Sequence, residues 1–171
     1  MSSSLSVKLK NDIKIYDLLF NCELVLKKLL RHSDIPKLMV YRIENKVRIP
    51  FQRETFGEDK DFILVGFEGY EDSVCISTAE IPIHLPHVTE DEAGKWAVIS
   101  VGIKRSSIEF VLAASLAIAL AKMQDSCVID DGCRWNKVSK QKPEEFMQAI
   151  SVGRNYDEAL KEIIHNLKLS K

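Results

Sequence analysis

His84 and His87, three residues apart, are the first residues of this 171-residue chain whose types and spacing suggest chemistry. On a helix such a pair could share a metal, but Pro82 and Pro86 favour an extended loop. No nearby cysteine or carboxylate completes a zinc set at familiar spacing. Asp130 and Asp131, flanked by Cys127 and Cys133, form the second constellation. Paired carboxylates at a strand end suit a hard cation such as magnesium, and with a histidine they would make a metal-assisted hydrolase. Asp131-Gly132 is also the dipeptide that a type I′ hairpin turn requires. The turn accounts for Asp131 without chemistry and leaves Asp130 as the residue it explains less well.

Other catalytic signatures are missing. Ser106 and Ser107 follow Lys104-Arg105, but a helix cap explains a serine there, and no G-x-S-x-G elbow occurs. Gly66-Phe-Glu-Gly69 is too short and acidic for a phosphate loop and lacks its Lys-Ser/Thr end. A dinucleotide fingerprint is absent too. Lys137, Lys140 and Lys142 near Trp135 would suit a single nucleic-acid strand. A net charge of -1 is not the electrostatic footprint of such a protein. The residues therefore favour a binding protein over an enzyme, with no cofactor and no direct nucleic-acid contact.

The net charge hides an asymmetry. Residues 54–92 carry eleven acidic side chains and one basic, while the flanking segments are both net positive. If those carboxylates share a face, they attract a basic partner and speed its encounter. A solvated rim of loops is the plainer alternative. The candidate contact residues are Glu54, Glu58, Asp59, Asp61, Glu68, Glu71 and Asp72, with Phe56 and Tyr70 among them to supply contact area.

These residues need a scaffold, and the apolar pattern describes one. Ile15, Leu18, Leu19, Cys22, Val25, Leu26, Leu29 and Leu30 recur at helical spacing, with Asn11 or Asp12 placed to cap. Leu38 to Ile43 reads as a strand, and Val47, Ile49 and Phe51 as a second, with Pro50 favouring a sheet edge. Phe62 to Phe67 is a continuous apolar run that fits a central strand. Val74, Ile76 and Thr78 share one face of the next. Thr89 and Glu92 have capping-box spacing for one helical turn. Ala97 to Ile103 is apolar on both faces, which places that strand inside the sheet.

Ser106 and Glu109 form a second capping box before the apolar, alanine-rich run Ile108 to Met123. That run is shorter than the roughly 20 apolar residues of a membrane span, so it reads as a buried helix. A hairpin follows, Ser126 to Asp130 and Cys133 to Val138, with Trp135 on its second strand. Pro143 opens one C-terminal helix, and Asn155 and Glu158 are placed to cap another. The expectation is α+β: a mainly antiparallel sheet with an N-terminal helix, a buried alanine-rich helix and C-terminal helices packed on it. Residues 1–171 form a single globular domain. The start of the sequence shows no apolar leader, and four scattered cysteines suit free thiols, so a soluble, cytoplasmic protein is expected.

The segment Lys95 to Ile150 carries a resemblance. An apolar strand is followed by Ser-Ile-Glu-Phe-Val-Leu-Ala-Ala-Ser-Leu-Ala-Ile-Ala-Leu-Ala-Lys. Then come Cys-Val-Ile-Asp-Asp-Gly-Cys-Arg-Trp and Lys-Pro-Glu-Glu-Phe-Met-Gln-Ala-Ile. The order resembles small bacterial immunity proteins of polymorphic toxin and contact-dependent growth inhibition systems. It covers about a third of the chain, and no site residue is carried over from it. The resemblance implies a stoichiometric inhibitor that binds a cognate toxin domain, often a nuclease, and covers its active site or substrate surface. The alternatives are the metal-assisted hydrolase on Asp130 and Asp131 and a small structural or assembly subunit.

Overall fold

A computed structural model describes residues 4–58, 60–102, 106–130, 135, 138–152 and 154–168. The chain opens with β1 (Ser4–Leu9) and the two-residue β2 (Ile13–Lys14), which runs into helix α1 (Ile15–Leu30). Strands β3 (Leu38–Glu44), β4 (Val47–Pro50), β5 (Thr55–Phe56), β6 (Phe62–Phe67), β7 (Ser73–Ile81) and β8 (Gly94–Ser100) follow. Then come α2 (Ser107–Met123), β9 (Val128–Ile129), β10 (Lys140–Gln141), α3 (Pro143–Ile150) and α4 (Arg154–Asn166). Eight strands make one sheet in the order β10-β9-β1-β8-β7-β6-β3-β4, and all its pairings are antiparallel. β2 and β5 pair separately. The α+β architecture read from the sequence is the one observed.

Strand periodicity explains how this sheet meets its helices. Alternate residues point to opposite faces, and the register lines up Leu5, Ile99, Ile76 and Ile63 across four strands. Val40, Val65 and Val74 make a parallel row, and all of these side chains are buried. Helix α2 packs on this side, touching β1, β7, β8 and β9, while α1 lies against α2 and β3. Most of α2 is buried, from Leu112 through Ala121 without interruption, because α1, α3 and α4 cover what the sheet does not. Its alanines keep the helix thin enough for the sheet and three helices to approach at once. One apolar cluster runs from Leu5 to Leu167.

Several expectations meet their elements. Pro50 sits on β4, the sheet edge, and β8 lies inside the sheet between β1 and β7. Ser106 Oγ accepts from the Glu109 N–H at 3.1 Å at the start of α2. Pro143 occupies the first turn of α3, and Glu145 accepts from the Lys142 N–H at 3.1 Å. Thr89 and Glu92 do bond reciprocally, but they close a turn and not a helix.

Other expectations are corrected. The N-cap of α1 is Lys14, not Asn11 or Asp12, and makes no side-chain cap bond. The Ile15 N–H is instead satisfied by the Glu54 carbonyl at 2.8 Å. β1 has no counterpart among the strands that the apolar pattern predicts, yet it is interior, between β8 and β9. The hairpin after α2 differs as well. Ile129 pairs with Lys140, so the connection is far longer than a two-residue turn, and Trp135 lies in a bend within it. Asp131, Gly132 and Cys133 lie outside the described residues, as does Ile103.

Candidate partner-binding surface

The acidic segment does not form one face. β6 separates it: Glu54, Glu58 and Asp61 precede the strand, and Glu68, Glu71 and Asp72 follow it. Six residues of strand set the two groups about 20 Å apart. Antiparallel β7 returns the chain to the first end, so Glu90, Asp91 and Glu92 gather there, far from Glu68. The carboxylates therefore occupy both ends of the sheet.

Within the first group the local roles differ. Asp61 is nearly enclosed, with a side-chain exposure of 10%. It accepts from the N–H groups of Gly57 (3.0 Å) and Glu58 (2.9 Å) and from the Arg53 guanidinium. Partial burial opposes its ionisation, but these donors outweigh that effect and hold its carboxyl below the usual range. Asp61 is a clamp for the 51–61 loop. Glu58 is tied to the same Arg53 at 2.8 Å. Gly57 belongs to the clamp: its φ is +141°, and a Cβ there would meet Asp12 Oδ1 at 2.8 Å.

The two aromatics are corrected in the same way. Phe56 is 1% exposed, because β5 pairs Phe56 with Ile13 and turns its ring into the core. It offers no surface to a partner. Tyr70 is half-buried; its hydroxyl donates to the Leu167 carbonyl at 3.0 Å and its ring meets Phe67 edge-on. It ties the β6–β7 turn to the end of α4. Glu54, Glu58, Glu68 and Glu71 are exposed and Asp72 is half-buried, whereas Asp59 lies outside the described residues.

The larger feature is the sheet's second face, against which no helix packs among the described residues. The register draws a row across six of the eight strands: Ser4, Ser100, Cys75, Leu64, Tyr41 and Pro50. A neighbouring row is Ser6, Val98, Ser77 and Phe62, and Lys8, Trp96 and Ala79 make a third. None of these positions holds a carboxylate. Phe62 is 47% exposed and Ile43, on the same face, 51%. Small Ser, Ala and Cys side chains between the larger ones keep the surface shallow. Burial pushes the Cys75 thiol up to about 11, so it serves as packing and not as a nucleophile at neutral pH.

The strand ends frame this face. Lys8 donates to the carbonyls of Glu90 (3.1 Å) and Asp91 (3.0 Å), and Trp96 Nε1 donates to the Glu92 carbonyl at 2.9 Å. These bonds fold the acidic 88–93 loop onto the open side. At the other end Arg48, also on the open face, donates to the Glu71 carbonyl at 2.8 Å. A face without carboxylates, carrying Lys8 and Arg48 as its charges, thus lies between strand ends that both bear acid. Sequence patterning gave one hint of it, the mixed apolar and hydroxyl alternation of β7 and β8.

Among the described residues, those singled out for chemistry do not assemble. Asp130 is 1% exposed and accepts from the Trp135 N–H at 2.8 Å, while its own N–H donates to the Ser139 carbonyl at 2.7 Å. It braces the β9–β10 connection. His84 and His87 are exposed in the β7–β8 loop. Among the described residues no three of His, Cys, Asp and Glu come together to hold a metal. Nor is any described helix long and apolar enough to cross a membrane. An open groove of about 550 Å³ lies between the end of α2 and the start of α3, and the Lys122–Glu144 ion pair at 3.2 Å spans part of it. No protein-family model, no curated protein and no solved structure matches this chain.

Proposed function

We propose that this chain is a protein-binding inhibitor, an immunity protein that neutralises a cognate bacterial toxin domain by covering its active site or substrate surface. The contact is made by the open sheet face. The observation that carries this reading is the second sheet face, where Ile43 and Phe62 are exposed and Tyr41 and Val98 half-exposed, free of carboxylates and bordered by acid at both strand ends. Exposed apolar side chains gathered on one face and rimmed by charge are characteristic of interaction sites. Aromatic anchors in the centre supply affinity, and rim charges set encounter rate and partner choice.

The acidic margins suit a basic partner such as a nuclease, and the Lys95 to Ile150 resemblance points the same way. The test is co-expression with the toxic C-terminal segment encoded by the neighbouring upstream gene. Wild-type protein should rescue growth and co-purify with the segment. Tyr41→Asp and Phe62→Asp, folded by circular dichroism, should do neither. No rescue from any adjacent candidate, or rescue undiminished by both variants, would defeat the reading.

A further inference from the structure

Helix α1 carries two apolar faces, and only one is covered. Leu18, Cys22, Val25, Leu26, Leu29 and Leu30 are buried in the core. Away from that face Tyr16, Phe20 and Leu24 recur every fourth residue and are 78%, 51% and 45% exposed. The Tyr16 and Phe20 rings stack at 6.5 Å with their planes 9° apart, so the stripe is already a formed ridge.

The charges along the helix are sorted by sign. Asp12, Asp17 and Glu54 stand at its N-terminal end, Glu54 through its carbonyl bond to the Ile15 N–H. Lys27, Lys28 and Arg31 stand at its C-terminal end. Lys27 is engaged with Glu23 at 2.7 Å, Arg31 with Asp157 at 4.0 Å and Asp12 with Lys95 at 3.3 Å. Asp17 and Lys28 are the pair best placed to act between molecules.

We propose that the Tyr16–Phe20–Leu24 stripe is a homodimer contact, in which a second copy packs its α1 antiparallel across the first about a two-fold axis at Phe20. A two-fold contact requires a patch complementary to itself. This stripe qualifies, since Tyr16 of one copy faces Leu24 of the other while Phe20 meets Phe20. At about 100° per residue, Asp17 and Lys28 fall on the same flank of the stripe. The antiparallel arrangement puts this flank of both copies on one edge of the contact and brings Asp17 of one copy toward Lys28 of the second, whereas a parallel one would place the two flanks on opposite edges and keep the pair apart. Opposed helix dipoles add to the preference.

Every-fourth-residue ridges pack at a crossing near -50°. Three side chains offer less than the roughly 800 Å² per partner of a stable interface, so the dimer is a weak, micromolar one. α1 lies on the helical side of the sheet, so dimerisation leaves the open sheet face accessible. The inference does not depend on the proposed function.

Sedimentation velocity on the full chain, from low to high micromolar concentration, tests the proposal. Wild-type protein should pass from monomer to dimer, and Phe20→Glu should stay monomeric with an unchanged circular dichroism spectrum and Tm. Asp17→Lys and Lys28→Asp should each raise the dissociation constant several-fold, and the double variant should recover much of the loss. Under mild oxidation Phe20→Cys should cross-link to itself. Tyr16→Cys and Leu24→Cys should cross-link when mixed but not separately. A wild-type monomer at every concentration would overturn the proposal. So would a dimer that survives Phe20→Glu, or Tyr16→Cys cross-linking to itself as readily as in the mixture.

Discussion

The two faces of the main sheet are written by the same strands and obey different rules. Toward the helices the side chains are branched aliphatics and Phe67, in rows that meet Ala and Leu of α2. On the other side the same strands place Ser4, Ser6, Cys75, Ser77 and Ser100 between Tyr41, Phe62, Leu64, Trp96 and Val98. The first composition suits permanent cover by a packed layer. The second carries no carboxylate and leaves Phe62 exposed and Tyr41, Trp96 and Val98 half-exposed among small hydroxyl side chains, a composition that suits the proposed transient cover. Substitutions on the two faces should therefore separate stability from binding.

The largest effect is expected on the covered face. Phe67 is 0% exposed and pairs with Leu38. Phe67→Ala removes a ring from a packed interior, and truncations of this kind cost about 3–5 kcal/mol. Chemical denaturation should show a lower midpoint with an unchanged slope. Across the sheet, Phe62→Ala removes a ring that is already 47% in water. Its expected cost in stability is about 1 kcal/mol or less. If the proposed toxin domain binds this face, the expected cost in its affinity is about 2 kcal/mol, the loss of a central anchor, read by calorimetry. Equal losses in both measurements would erase the distinction between the faces.

A smaller effect tests whether the acid at the first strand end is structural. The Asp61 carboxyl titrates below its ordinary value of 3.8, because the donors around it favour the charged form. That stabilisation is complete above the unfolded value and is lost as pH falls through the lower, folded one. Asp61→Asn should destabilise the protein by about 1–2 kcal/mol near neutral pH, since it weakens the charge-assisted bonds from the part-buried Gly57 N–H, the Glu58 N–H and Arg53. It should also flatten the acid limb of the stability curve below about pH 4. Binding measured on folded protein should change little. A variant with wild-type stability and lost binding would return Asp61 to the contact surface.

Much of the architecture was legible because periodicity and punctuation are local. α1, β6, α2 and α3 follow from apolar spacing, Pro50, Pro143 and the Ser106 cap. β1 was harder. Leu5, Val7 and Leu9 do alternate, but a six-residue strand acquires its central place only by pairing with residues 95–100 and 128–129. No local signal reports those partners. Phe56 stands alone between polar residues, and its burial depends on a two-residue bridge to Ile13. The acidic segment was visible as charge but not as geometry. Charge adds along the sequence, whereas a strand carries the chain steadily across the molecule and sends its two flanks apart.

That separation allows the smallest effect to be the most discriminating. Glu68 and Glu71 stand at one strand end, and Glu90 and Asp91 at the other, where hydrogen bonds to Lys8 hold their loop against the open face. All four are exposed, and reversing them should leave stability within about 0.5 kcal/mol of wild type. Their influence on a basic partner acts mainly through encounter, so it should appear in the association rate and fade as salt shortens the screening length. Glu90→Lys with Asp91→Lys should slow association several-fold at low ionic strength, because that loop is fastened to the contact face. Glu68→Lys with Glu71→Lys should do less, since Tyr70 ties its turn toward α4 and the helical side. Surface plasmon resonance at two salt concentrations reads both. An equal effect from the two pairs would mean that the partner spans the full length of the strands. A larger effect from the Glu68 pair would move the contact off the open face toward the helices.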